Sequence, residues 1–204
     1  MFNKNTIFNF FHKRRNTNIT FVEGMDMFSN LNREIYINTI TPQSAEHLDK
    51  AIRAWNKFDD IDFSEVAKRT PIKIYINSLG GDFDAMLTMI DAIKISKTPV
   101  HTINIGTAHK EALLVFIAGH QRYCYPNSSF LYERDLKHLE DAEKNDNYIN
   151  FYEKQLNSIK DIIINRTKIT ETEYSKHLKN LWWIMPEDAQ RLKVCHEIIT
   201  KYQG

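Results

Sequence analysis

The residues that could do chemistry gather around two glycine-containing turns. One is Ser78-Leu79-Gly80-Gly81-Asp82; the other runs from Gly106 through Thr107, Ala108, His109 and Lys110 to Glu111. Adjacent glycines allow positive φ and leave backbone N–H groups uncovered by any Cβ, so a ligand or peptide can approach the main chain at Gly80-Gly81. Ser78 and Thr107 place hydroxyls beside these turns, and His109 places an imidazole next to Lys110. Serine-type acyl transfer needs a hydroxyl nucleophile, a neutral imidazole to take its proton and a carboxylate to hold the imidazole's tautomer, all within reach of one another. Other candidates carry less. Cys124 and Cys195 lie in or near strand-like runs, as buried small residues do. His120, His138 and His196 show no metal-ligand spacing with each other or with cysteine. Asp59, Asp60 and Asp62 lack the glycine and terminal glutamate of a calcium loop, so a solvated charged loop is expected. Neither metal nor cofactor is expected.

The elements that must position the turns are legible in the apolar periodicity. Ile72, Ile74 and Ile76 alternate with Lys73, Tyr75 and Asn77, the period of a strand with one apolar face. Met86, Met89, Ile90 and Ile93 then fall at helical spacing, with Asp82 and Asp84 at the helix start. Pro99 to Gly106 follows as a second strand, and Glu111 to Ala118 is apolar nearly all round, as in a helix buried on several sides. Strand, helix and strand make a βαβ unit with a right-handed crossover, so the sheet should be largely parallel. Upstream, Glu34 to Ile40 is expected as the first strand. Thr41-Pro42 caps a helix carrying Ala45, Leu48, Ile52 and Trp55, with a charged connection from Asn56 to Pro71. Downstream, Thr170 to Glu173 is a capping box. Pro186 opens the last helix, and Val194 to Ile199 reads as a final strand.

This arrangement resembles the proteolytic subunit of the Clp protease, the ClpP family. The matching stretches are YINSLGGD (Tyr75 to Asp82), INIGTA (Ile103 to Ala108), Ala118-Gly119 and RYCYPNSS (Arg122 to Ser129). The match is ungapped from Ile72 to Gly119 and continues more weakly to about Ile199. The resemblance implies an α/β fold: a ClpP/crotonase-like spiral of βαβ units with a protruding helical arm at about 140–165. It also implies that Ser78 is a structural serine of its own turn.

The family's catalytic positions have changed type here. The resemblance places Lys110 where the family has its nucleophilic serine, Glu133 where it has histidine and His177 where it has aspartate. An ammonium beside a carboxylate stays protonated and is neither nucleophile nor base, so an ion pair is expected in place of an acyl-transfer site. The chain is therefore expected to be a divergent, non-catalytic member, ClpR-like or akin to phage and plastid ClpP-like subunits. Two alternatives stand beside this. One is an active peptidase or crotonase-fold acyl enzyme with a rearranged site, in which Gly81 and the N–H of Glu111 form an oxyanion hole; it predicts a well-formed apolar pocket beside Lys110. The other is an inhibitor that mixes into another Clp protease.

The resemblance also implies partners: itself or related ClpP subunits in a ring, and an AAA+ unfoldase. The family's unfoldase cleft maps onto Lys73, Tyr75 and Ile95. Only Tyr75 keeps the aromatic type, and an ammonium in an apolar cleft should weaken docking. Arg134 to Asn147 replaces the family's glycine-rich, substrate-aligning strand with a charged segment. The arm's stripe of Tyr148, Tyr152, Leu156, Ile159 and Ile163 serves either ring contact or packing on its own subunit.

Composition agrees with a single soluble domain. The 204 residues carry a formal charge of +1, so neither nucleic acid nor a membrane surface is indicated as partner. Two cysteines without a secretory signal suggest a reducing compartment: the cytoplasm, a plastid-type organelle, or a host cytoplasm for a phage protein. The expected division is a flexible basic segment at 1–25 and one domain over 26–204.

Overall fold

A computed structural model describes residues 32–62, 65–134, 146–178 and 180–201. The segment 1–25, the start of the domain at 26, and the charged stretch 135–145 with His138 lie outside the described residues. The elements are β1 (Glu34–Ile37), α1 (Pro42–Asp62), β2 (Ile72–Ser78), α2 (Phe83–Ile95), β3 (Val100–His109), α3 (Glu111–Ala118), β4 (Gln121–Cys124), β5 (Ser129–Tyr132), α4 (Asp146–Arg166), α5 (Glu171–Lys176), β6 (Trp182–Ile184), α6 (Pro186–Arg191) and β7 (Glu197–Ile198). The sheet runs β1-β2-β3-β4-β7, with β5 on β3 and β6 on β5; every pairing is parallel except β5 with β6. The α/β fold and its parallel bias agree with the apolar alternation in β2, whose Ile72, Ile74 and Ile76 are all fully buried.

The ten-residue strand β3 is the spine. Its first half pairs with β4, and its second half, Thr107 to His109, pairs with β5. Between the halves the register against β2 slips, from Ile76–Asn104 to Ser78–Ala108. Two asparagines stitch this bend. Asn77 Oδ1 accepts the N–H and the hydroxyl of Thr107, each at 3.1 Å. The Asn104 side chain accepts the Gly106 N–H and donates to the Ser129 carbonyl. A Cβ on Gly106 would lie 2.5 Å from Asn77 Oδ1 and would push that side chain from its place at the bend.

Helix α3 is buried at every residue, and α2 and α4 pack on it. The arm stripe, where described, is also buried: Tyr152, Leu156, Ile159 and Ile163 face the core. At the C-terminal end of α3, Arg122 and Arg166 donate to the carbonyls of Ile117 and Gly119, and Arg166 also to that of Ala118. Arg122 reaches the carbonyls of Arg166, Lys193 and Val194 as well. Cations complement the negative end of a helix dipole, and these carbonyls would otherwise lack donors. Burial and the nearby Arg166 push the Arg122 guanidinium down to about 10.

Three expectations need correction. The first strand ends at Ile37, and Ile40 joins the sheet only as an isolated bridge to Gly81. The last strand is confined to Glu197–Ile198, and the Cys195 N–H before it still bonds back to the Ala189 carbonyl of α6. The charged connection after Trp55 is not a solvated loop at Asp59, since α1 continues to Asp62. Asp59 is fully buried, paired with both guanidinium nitrogens of Arg33 and with the Thr98 hydroxyl at 2.6 Å. Burial alone would raise its carboxyl. The hydrogen bonds from Arg33 and Thr98, with the charges of Arg33 and Arg69, outweigh that and hold it below its ordinary value.

Candidate functional site

The site forms where β3 turns into α3 with only Lys110 between them. Lys110 has φ 54 and ψ −119. For a side chain other than glycine this is a strained conformation, costing about 1–3 kcal/mol and held in place by its surroundings. Here the Lys110 N–H donates to the Leu131 carbonyl at 2.8 Å, and its carbonyl accepts the Leu113 N–H at 3.1 Å. The effect is to lift the side chain of residue 110 clear at the start of a buried helix.

The glycine turn after β2 lies directly beside it. Ile40 N–H donates to the Gly80 carbonyl and Asp82 N–H to the Ile40 carbonyl, pinning the turn from one side. Gly80 and Gly81 have φ of 112 and 155. A Cβ on Gly80 would lie 3.1 Å from Lys110 Cβ, and one on Gly81 would lie 2.1 Å from the Ile40 carbonyl oxygen. Ser78 is spent within the turn: its hydroxyl bonds the N–H and carbonyl of Gly80.

Lys110 Nζ and Glu133 Oε2 meet at 2.7 Å, both side chains about two-fifths exposed. At that exposure the pair contributes about 0–1 kcal/mol. His177 is not with them. Its ring stacks on Trp182 with centroids 4.0 Å apart, its Nε2 is 3.6 Å from Glu173 Oε1, and it does not line the cavity beside Lys110. That cavity, between Lys110, Glu111, Tyr132 and Leu156, holds about 20 Å³. Such a volume admits about one water. It is far from the well-formed apolar pocket that a small-acyl enzyme predicts.

The Gly81 N–H donates to Glu111 Oε2 at 2.9 Å. The carboxylate of Glu111, itself nearly buried, thus occupies the donor that the oxyanion-hole alternative needs free. The sequence offers Gly81 and Glu111 for their backbone groups; the fold brings in the Glu111 side chain as well.

A hydroxyl and an imidazole do pair elsewhere. His109 Nε2 and Ser129 Oγ are 2.9 Å apart, with the Trp183 ring edge-on to the imidazole at 5.0 Å. Burial, then the Lys110 charge, holds His109 below its usual value, which favours the neutral ring. Neither residue lines the cavity beside Lys110, and among the described residues no carboxylate orients the ring.

A separate cleft lies along the other half of β3. It holds about 510 Å³ between Lys73, Tyr75, His101, Tyr123, Tyr125 and Glu197, among others. Lys73 is 3.5 Å from Glu34, and Tyr75 stacks on Tyr36 at 4.9 Å. Ile95 does not share this cleft. It is strongly exposed on a separate groove between α1 and α2. Among the described residues no group of histidine, cysteine or acidic side chains could hold a metal, and no helix is long and apolar enough to cross a membrane.

Comparison with known proteins places this geometry in context. The sequence profile of the Clp protease family matches residues 23–202. The ATP-dependent Clp protease proteolytic subunit 2 of Borreliella burgdorferi is 29% identical over 142 residues, covering 66% of this chain and 70% of the relative. The subunit of the same name from Treponema denticola is 30% identical over 122 residues, covering 58% and 61%. The solved structure of ClpP1 from Listeria monocytogenes superposes with a TM-score of 0.70 at 21% identity, covering 87% of this chain and 97% of that one.

Proposed function

The chain belongs to the Clp protease family, and from that premise we propose that it is a non-catalytic subunit of a Clp-type ring. Its work is structural: it completes, caps or modulates a ring formed with itself or with related subunits. The observation that carries this reading is the Lys110–Glu133 ion pair at the strained strand-to-helix turn. An ammonium held by a carboxylate offers no lone pair for attack and no base to make one. The displaced His177 and the cavity of about 20 Å³ support the same conclusion. Contact with an AAA+ unfoldase is weak in this reading, because Lys73 brings charge to the cleft that Tyr75 lines.

The test is turnover of fluorogenic peptides and labelling by acyl-reactive probes, with the pure protein and with added active subunits. No turnover alone, together with co-assembly measured by native mass, is the expected result. Peptide hydrolysis that a single change at Ser129 or His109 abolishes would favour the active-enzyme alternative, for which the His109–Ser129 hydrogen bond is the one supporting contact.

A further inference from the structure

We propose that Glu111 locks this site: its carboxylate is a resident anion that fills the position where a reacting carbonyl oxygen or a free carboxylate would bind. The inference rests on the non-catalytic reading but names a second, separate block, independent of Lys110 and Glu133. Oε2 of Glu111 accepts the Gly81 N–H at 2.9 Å. The same oxygen lies 2.3 Å from where a Cβ on Gly80 would stand, so the carboxylate rests against the bare backbone of the glycine turn. That turn also lies against residue 110, since the same Cβ would be 3.1 Å from Lys110 Cβ. The filled position is therefore next to the atom that would bear any nucleophile at residue 110.

Three physical features hold the carboxylate there. It is tethered, so it competes at high effective concentration against any free ligand. It sits in the first turn of α3, eight buried residues whose dipole favours an anion at this end. It is 8% exposed, and the cavity beside it admits about one water, so no acyl group can enter without displacing it. Both glycines are required for the lock, because a side chain at Gly80 would collide with the carboxylate and one at Gly81 with Ile40.

The experiment uses the full chain with glycine-selective ¹⁵N labelling, which gives signals from only six glycines. In the Glu111→Ala variant the Gly81 amide should exchange with solvent at least tenfold faster than in the wild type. Sodium acetate, used as the probe, should return its signal toward the wild-type position saturably, whereas sodium chloride at equal ionic strength should not. Acetate should leave wild-type Gly81 unmoved. Should Glu111→Ala fail to fold, Glu111→Gln keeps the volume and loses the charge, and its Gly81 amide should still exchange at least threefold faster. Unchanged Gly81 exchange in the folded variant, an acetate response equal to that of chloride, or an acetate shift in the wild type would each overturn the proposal. Peptide turnover by the wild type would instead sink the non-catalytic reading, so the two failures are distinguishable.

Discussion

The two ends of helix α3 solve the same electrostatic problem in opposite ways. At the C-terminal end, two guanidinium groups, Arg122 and Arg166, are spent on backbone carbonyls and nothing else is asked of them. At the N-terminal end, Lys110 holds a strained backbone, pairs with Glu133, and precedes a carboxylate turned back onto Gly81. The first end is built for stability. The second carries strain that its present side chains put to no chemical use in our reading.

The contrast can be broken most forcefully at the C-terminal end. Replacing the buried Arg122 with alanine takes away the donor that it gives to the carbonyls of Arg166, Lys193 and Val194. The expected loss is about 3–5 kcal/mol, or roughly 10 °C in midpoint, read by thermal denaturation. Next comes acid. Burial, then Arg122, Lys193 and Arg166, push His196 down to about 4, and burial with Arg166 lowers His120. Both folded-state values lie below the unfolded value of 6.5. Their contribution is therefore complete above pH 6.5 and is lost as the pH falls from there toward 4, when the unfolded chain takes up protons that the folded chain refuses. Denaturant titration should show that decline, and His196→Asn, which keeps an acceptor for the Arg122 N–H, should flatten it.

Changes at the N-terminal end should be smaller and of the opposite character. Lys110→Gly relieves the positive φ and should stabilise the chain by about 1 kcal/mol despite losing the ion pair. A destabilisation of that size would mean that the pair, not the backbone, dominates there. Glu133→Gln should shift stability by less than about 1 kcal/mol, because both partners are partly solvated.

Much of the frame was legible in the sequence, since a period of two in Ile72, Ile74 and Ile76 and an all-apolar run in α3 have few other solutions. The Lys110–Glu133 meeting was legible only through resemblance, because no local pattern links residues on different elements. The burial of Asp59 is hidden for the same reason: its partners Arg33 and Thr98 are distant in sequence, so nothing nearby marks it as buried. The resemblance puts His177 at the family's aspartate position but does not say where its ring turns; Trp182 offers it a stacking surface instead. The fold-back of Glu111 was invisible because it depends on the backbone shape of a turn formed by another strand.

The bend in β3 has one more consequence. Its angle is set by Asn77, Asn104 and Gly106, none of which touches the cavity beside Lys110. Aim and ammunition are thus inherited separately: the residue carried at the tip can be exchanged while the barrel keeps pointing the same way. A lineage can disarm such a scaffold without dismantling it.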